Sequence, residues 1–304
     1  MSGHAHAPAT ATGRHRRRLV VVLCLTAGVV VVQVVGGLLS GSLALLADAG
    51  HMLLDATGVG IALLAAALAT RPATDARTFG LLRAEILAAL ANAVLLAALG
   101  VWILVEAVRR WSDPPEVATG LMLAVAAVGA LTNLVSLLLL REGQAESLNV
   151  RGAYLEVLGD LLGSVAVLAA GVVIATTGYR RADVLASAAI GLFVLPRAWS
   201  LLRSVLDVLL EATPKGIDLD AVRRHILGVP GVVGVHDLHA WTITSGMPVL
   251  SAHVVVDEEC IADGRTGEVL DALGACLSEH FDTDHCTFQV EPIGHGEHEA
   301  VGHR

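Results

Sequence analysis

The stretch ADAGHMLLDATGVG, residues 47–60, places Asp48, His51 and Asp55 inside an apolar segment that covers residues 43–68. If this segment crosses a membrane as a helix, each ionised carboxylate near its centre costs about 2.5–3.5 kcal/mol. His51 and Asp55 are four residues apart, so they lie one helical turn apart on one face. An imidazole nitrogen and a carboxylate oxygen at this spacing can bind one divalent metal ion. Because one helix offers only two or three ligands, a second helix must supply the rest.

A matching pair occurs in the apolar segment NVRGAYLEVLGDLLGSVAVLAAG, where Glu156 and Asp160 are again four residues apart. With His51 and Asp55 they form a predicted set of four ligands, one imidazole and three carboxylates. The alternative is that these acids are protonated and form hydrogen bonds between helices. Ionisable residues within membrane spans favour a functional site over that alternative. Asp48 has two open interpretations, a place on the entry path of the ion or a hydrogen bond between helices.

The composition is typical of a polytopic membrane protein. The chain has 304 residues, of which 55% are hydrophobic and 16% charged, and its mean hydropathy is +0.69. Its four cysteines show no CxxC spacing, so we expect no disulfide framework. The net charge of −9 is concentrated after Pro214, where 15 Asp and Glu outnumber 5 Lys and Arg. This acidic balance does not favour nucleic acid as a partner.

Six apolar segments are each close to the roughly 20 residues that span a bilayer. We predict helices at 19–39, 43–69, 84–108, 118–140, 151–176 and 182–209. Together they form a transmembrane domain over residues 19–211, surrounded by lipid. Six crossings leave both termini on one side, and the distribution of arginines indicates that this side is the cytoplasm. We therefore expect a multi-pass protein of the cell membrane, preceded by a disordered basic arm with histidines over residues 1–18.

The pattern changes over residues 212–292, which we predict to form a small α+β domain on the cytoplasmic side. A helix is followed by two strands with alternating apolar residues around a Ser245-Gly246 turn, then an amphipathic helix and a last strand. The order α-β-β-α-β favours two packed layers. Residues 293–304 are a predicted disordered tail with further histidines.

This domain also carries a predicted metal site. His285 and Glu291 share one face of the last strand, because strand side chains alternate with period two. His236 and His253 lie on the two preceding strands, and these four residues form the predicted site, with Cys286 as a weaker candidate. The alternative is that they are ordinary surface histidines of a soluble domain.

Several stretches in this order resemble the cation diffusion facilitator family, specifically its bacterial zinc, cadmium and cobalt exporters. They are GGLLSGSLALLADAGHMLLD, RTFGLLRAEILAALAN, NVRGAYLEVLGDLLGS, and VHDLHAWTITSGMPVLSAHV with HCTFQVE. The resemblance covers the chain from about Arg16 to Glu291. It implies a homodimeric antiporter with six helices per protomer and a ferredoxin-like cytoplasmic domain, which exports divalent metal while protons move inward.

The resemblance also implies roles for individual residues. It implies that His51, Asp55 and Asp160 are ligands of the transported ion. The implied positions for regulatory metal in the cytoplasmic domain are His236, His253 and Glu291, and His285 matches less closely. No prosthetic group is implied; the ion itself is the cargo.

Glu156 departs from the family pattern, because the most similar exporters carry His at this position. The change replaces a borderline nitrogen donor by a hard oxygen donor and adds a negative charge. Oxygen-rich sites accept Mn²⁺ and Fe²⁺ more readily, although raw affinity still rises towards zinc. We therefore expect Zn²⁺ first, with Mn²⁺, Fe²⁺ or Co²⁺ as the alternative and Cd²⁺ as a further ion of such exporters.

Two other classes of protein are compatible with metal ligands in a membrane. A metalloenzyme could use an open coordination position to activate water, but the chain has no HExxH helix and no recognisable nucleophile motif. We therefore expect no enzymatic activity. A membrane metal sensor would instead hold the ion as a structural element. Only a carrier moves metal across vesicles with saturable, proton-linked kinetics.

Overall fold

The computed structural model describes residues 11–141, 148–281 and 285–298. Within them, six helices are long and apolar enough to cross a membrane, which confirms the predicted fold class. They are α1 (Ala11–Ser40), α2 (Leu43–Ala69), α3 (Ala84–Ser112), α4 (Thr119–Leu140), α5 (Leu148–Thr177) and α6 (Arg181–Leu209). The bounds of α2 are those predicted from the hydrophobic pattern.

The first helix differs from its prediction at the N-terminal end. It begins at Ala11, so residues 11–18 are helical, whereas we had assigned them to a disordered arm. A helix that is already nucleated in the apolar span extends into this stretch without a new nucleation step, and its four arginines are good helix formers. Residues 1–10 of the arm, with His4 and His6, lie outside the described residues.

The chain divides into two compact units, of which the first contains α1, α4 and α5 together with parts of the other long helices. Among its described residues it comprises those up to Ile61 and the segment Ala91–Ser200. Its core consists of small and medium apolar side chains, which allow close packing of helices. Fully buried members include Leu45, Leu96, Ile103, Met122 and Val167.

The start of α2 is fixed by a buried carboxylate of α6. Asp183 accepts hydrogen bonds from the Ser42 hydroxyl at 2.5 Å and from the backbone N–H groups of Leu43 at 2.8 Å and Ala44 at 3.2 Å. These N–H groups have no partner within their own helix, and the carboxylate accepts their hydrogen bonds. Its negative charge also interacts favourably with the positive N-terminal end of the helix dipole. Asp183 thereby sets the position of the helix that carries His51.

The second unit contains Ala62–Leu90 and the described residues from Leu201 onward. Its C-terminal domain comprises α7 (Leu219–Leu227), β1 (Val232–Thr244), β2 (Met247–Val256), α8 (Glu258–Ala262), α9 (Thr266–Phe281) and β3 (His285–Pro292). The sheet has the order β1-β2-β3, with β1 antiparallel and β3 parallel to β2. The parallel pair requires a crossover, which α9 supplies. This confirms the α+β prediction; the short α8 was not predicted.

The segment after β3 is partly ordered. A single 3₁₀ turn covers His295–His298, inside the range that we predicted as a disordered tail. Gly294 has a φ of +83°, a conformation that glycine adopts easily, so the chain can turn at this point. Residues 299–304 lie outside the described residues.

Candidate metal centres

Three predicted ligands from two helices converge in the first unit. His51 and Asp55 come from α2 and Asp160 from α5, and one ligand atom of each lies within 4.8 Å of the others. His51 and Asp160 are buried, and the side chain of Asp55 is 11% exposed. We call these three residues the membrane cluster. They are three of the four ligands predicted from the two i, i+4 pairs.

The membrane cluster leaves polar atoms without hydrogen bonds. Nδ1 of His51 and Oδ1 of Asp160 are buried and have no hydrogen-bond partner among the described residues. Within the cluster, Nε2 of His51 lies 3.5 Å from Oδ2 of Asp55. Buried polar atoms without partners are costly, and a bound cation would satisfy them. One nitrogen and two carboxylate groups suit a divalent transition metal and leave room for a fourth ligand.

Glu156, the fourth predicted ligand, is not part of this three-residue group. Its Oε1 lies 2.9 Å from Nη2 of Arg197, and Nη1 of the same arginine lies 3.2 Å from Oδ2 of Asp55. The guanidinium therefore connects carboxylates of α2 and α5 from its position on α6. The structure places Glu156 beside the membrane cluster and pairs it with a cation.

Sequence reasoning missed Arg197. It follows Pro196 within the sixth apolar helix, whereas we had considered arginines only as indicators of topology in the loops. An arginine inside a span costs about 2.5–3.5 kcal/mol unless it is paired or reaches water. The signal that could have identified it is this extra cation in one span together with the extra carboxylate, Glu156, in another.

Asp48 belongs to a separate polar network between helices. Its Oδ2 accepts hydrogen bonds from Nε2 of Gln33 at 2.8 Å and from the hydroxyl of Ser164 at 3.1 Å. Gly163 makes this approach possible, because a Cβ at that position would collide with Oδ1 of Asp48. Of the two interpretations left open, the hydrogen bond between helices is thus observed. Asp48 also lines a cavity of about 170 Å³ together with His51.

A second group of ligands lies on the sheet of the C-terminal domain. Nε2 of His236 is 3.0 Å from Oε2 of Glu291, and Nδ1 of His253 is 2.7 Å from Oε1 of the same carboxylate. His236 and His253 face each other across β1 and β2, with ring centroids 5.0 Å apart. We call His236, His253 and Glu291 the C-terminal cluster. One ligand atom of each of these residues lies within 4.8 Å of the others, close enough for the three to hold one metal ion.

The carboxylate of this cluster is buried and well supported. Burial by itself raises the pKa of the Glu291 carboxyl, but hydrogen bonds from His236 and from Nε2 of Gln289, at 2.8 Å, and the charge of the two imidazoles when protonated outweigh it, so the pKa lies below its ordinary value. Glu291 is therefore ionised at neutral pH and available as a metal ligand.

His285 is not brought to the C-terminal cluster. It is the first residue of β3, opposite Val249, and its ring packs edge-on against Phe79 at 5.6 Å between centroids. It lies six positions before Glu291 on the strand, so sharing a face does not bring the two side chains together. Cys286, the weaker candidate, packs against the apolar core of the domain.

The described residues thus form a six-helix membrane protein with one group of candidate metal ligands within the spans and another in the C-terminal α+β domain. Residues 19–210 match the family description "Cation efflux transmembrane domain", and residues 214–293 match "Cation efflux protein, cytoplasmic domain". The chain therefore belongs to the cation diffusion facilitator family of cation efflux proteins. This family membership confirms the resemblance and makes the chain a divalent metal cation efflux transporter, not an enzyme.

Curated relatives match over most of their length. The metal cation efflux system protein CzcD of Cupriavidus metallidurans is 47% identical over 290 residues, which cover 95% of this chain and 90% of that protein. The zinc transporter ZitB of Escherichia coli is 43% identical, covering 90% and 87%. A cadmium, cobalt and zinc/H(+)-K(+) antiporter of Bacillus subtilis is 37% identical, covering 98% and 95%.

Proposed function

We propose that this chain exports zinc in exchange for protons, and that His51, Asp55, Glu156 and Asp160 form its transport site. The observation that carries this proposal is the convergence of the membrane cluster, with buried ligand atoms of His51 and Asp160 that have no hydrogen-bond partner. Relatives named as zinc transporters and as an antiporter support the choice of ion and of exchange. Glu156 supplies the fourth ligand from the adjacent turn of α5.

The donor set suggests how the exchange operates. Metal and protons compete for the same carboxylate and imidazole groups, because these groups bind metal only when deprotonated. Metal that enters from the cytoplasm displaces protons from the site. A rearrangement of the helices then exposes the site to the other side, where protons release the metal. We propose that both termini lie in the cytoplasm and that the protein acts as a homodimer.

Transport of zinc into proteoliposomes with an imposed pH gradient tests this proposal. Asp160→Ala removes a ligand of the membrane cluster, and we expect it to abolish saturable, proton-linked zinc uptake. Asp113→Ala is a matched control, because Asp113 is an exposed aspartate after the end of α3. Normal zinc uptake by the Asp160→Ala protein would refute the proposed site.

The donor set also supports an alternative cargo of the same transporter. Three carboxylates and one imidazole make the site richer in oxygen than one with two imidazoles, and this favours Mn²⁺, Fe²⁺ or Co²⁺ relative to zinc. Competition of these ions and of Cd²⁺ with zinc in the same vesicles ranks them. If Mn²⁺ at equal concentration suppressed most of the zinc uptake, the site would prefer Mn²⁺ to zinc.

We further propose that the C-terminal cluster binds regulatory metal. Two acidic copies of the domain repel each other in a dimer, and a cation bound at His236, His253 and Glu291 would reduce that repulsion and favour the transport-competent arrangement. The stoichiometry of zinc bound to the purified full-length protein tests this. His236→Ala is expected to remove one zinc ion per protomer, and an unchanged stoichiometry would contradict the proposal.

A further inference from the structure

We propose that Arg197 is a resident cation of the transport site, which holds oxygens of Asp55 and Glu156 when no metal is bound and is displaced by the incoming divalent ion. This inference rests on the proposed function, because it assumes that the membrane cluster binds the transported metal. The proposal gives Arg197 of α6 a role, because the set of metal ligands alone does not explain why an arginine is present there.

The contacts of Arg197 place it on the ligand atoms themselves. Nη1 lies 3.2 Å from Oδ2 of Asp55, and Nη2 lies 2.9 Å from Oε1 of Glu156. The same Oδ2 of Asp55 lies 3.5 Å from Nε2 of His51. The guanidinium therefore occupies the oxygen that faces the imidazole, which is where a shared metal ion would bind.

A metal ion and the guanidinium compete for this oxygen. If both were bound to Oδ2 of Asp55, a divalent and a monovalent cation would lie only a few ångströms apart in a medium of low dielectric constant, and they would repel strongly. Binding of metal therefore requires that Arg197 release Asp55. Its fork of donors, which fits two carboxylates at once, explains why an arginine stands at this position.

The site offers a route for this exchange. Oδ1 of Asp160 is not engaged by the arginine and has no hydrogen-bond partner among the described residues, so an ion can make its first contact there. The side chain of Arg197 is 47% exposed and lines a cavity of about 500 Å³ together with His51 and Glu156. The guanidinium can withdraw into this cavity, and Glu156 is then free to act as the fourth ligand.

Displacement also explains how the site discriminates by charge. A divalent ion gains more from two or three carboxylates than the guanidinium loses, whereas a monovalent metal ion gains no such advantage over a guanidinium that is already in place. In the absence of Arg197, the carboxylates would attract any cation. Arg197 is thus a specificity-determining residue, and it also limits how tightly the metal is held.

Zinc titration of the purified full-length protein in detergent tests this proposal. A Glu291→Gln background removes the contribution of the C-terminal cluster. In that background we expect Arg197→Gln to lower the Kd for zinc by about tenfold, because the metal no longer has to displace a competing cation. Arg203→Gln is the matched control, an exposed arginine six residues further along α6, and we expect no change in its Kd.

Two further measurements separate displacement from a merely structural role. Arg197→Lys keeps the charge, so we expect its Kd to remain closer to that of the parent protein than the Kd of Arg197→Gln. Phenylglyoxal labelling, mapped by mass spectrometry, should modify Arg197 faster when zinc is bound, while labelling of Arg203 stays the same. A uniform elution profile of all variants on gel filtration verifies that they are folded.

The outcomes distinguish this proposal from the proposed function. Zinc binding that is unchanged or weakened by Arg197→Gln, or labelling of Arg197 that zinc does not accelerate, would overturn the role of Arg197 alone. If the parent protein failed to bind zinc, or if His51→Ala bound it equally well, the transport site itself would be wrong.

Discussion

The membrane cluster and the C-terminal cluster contain the same types of ligand, imidazole and carboxylate, but differ in how far these groups already contact one another. In the C-terminal cluster both oxygens of Glu291 are engaged by imidazoles, at 3.0 Å and 2.7 Å, and Gln289 adds a further hydrogen bond. In the membrane cluster, atoms of His51 and Asp160 have no hydrogen-bond partner among the described residues. A metal ion must therefore separate imidazoles from their carboxylate in the C-terminal cluster, whereas in the membrane cluster it satisfies buried atoms and has only Arg197 to displace.

This difference suits the two proposed roles. A site whose ligands already stabilise one another gives up part of its binding energy to separate them, so it responds only when metal is plentiful. A site with unsatisfied ligands would bind too tightly to release its cargo, unless another group competes with the metal. Arg197, in contact with Asp55 and Glu156, is such a group.

The largest effect that we predict comes from removing the imidazole of the membrane cluster. His51→Ala deletes its only nitrogen ligand, and zinc affinity at that site should fall by more than the roughly 10–100-fold that loss of a supporting hydrogen bond costs a metal site. Zinc uptake into proteoliposomes should be abolished. His236→Ala, the equivalent change in the C-terminal cluster, should retain uptake at saturating zinc. Equal effects of the two substitutions would remove the functional distinction between the clusters.

A smaller effect is expected from changing the residue that departs from the family pattern. Glu156→His replaces an oxygen donor by a nitrogen donor. Of its two carboxylate partners, Arg197 then keeps only Asp55. We expect the preference for zinc over manganese to rise about tenfold, because imidazole favours the ions later in the series. Competition uptake in vesicles measures this preference, with Glu259→His as an exposed control. An unchanged preference would show that Glu156 does not determine selectivity.

The sequence predicted the residues that depend on the period of a single element. Spacing of four residues places His51 with Asp55 on one helical face. Hydrophobic length alone identified the six spans, because a bilayer requires about 20 apolar residues. These inferences need no knowledge of how the elements pack.

What could not be predicted depends on how one element is rotated against another. The contact of Arg197 with Glu156 requires the orientation of α6 relative to α5, and the spacing within either helix does not contain it. The same holds for Asp183, which lies near a span end in the sequence and yet is buried as the cap of α2. His285 shows the converse error, since a shared strand face was taken as proximity over a distance of six residues.

A still smaller effect should follow the loss of the carboxylate in the C-terminal cluster. Glu291→Gln removes the group that both imidazoles contact, so we expect loss of zinc binding at that cluster and a reduction of the maximal uptake rate by about fivefold, at the low end of the roughly 5–150-fold range typical of regulatory couplings. Zinc stoichiometry and initial uptake rates measure the two consequences. Glu268→Gln, on the exposed surface of α9, is the control. Complete loss of uptake would show that the C-terminal cluster is essential to transport.

The smallest effect is expected at the histidine that the structure separates from the C-terminal cluster. His285 packs against Phe79 and not against Glu291, so His285→Ala should leave the Kd for zinc at the C-terminal cluster within about twofold of the parent value. His253→Ala, in contact with Glu291 at 2.7 Å, should weaken the same binding strongly. Titration of the full-length protein in an Asp160→Ala background, which removes the membrane cluster, compares the two. If the two variants lost zinc equally, His285 would have to reach the ion in the metal-bound state, and the C-terminal cluster would rearrange far more on binding than its present hydrogen bonds suggest.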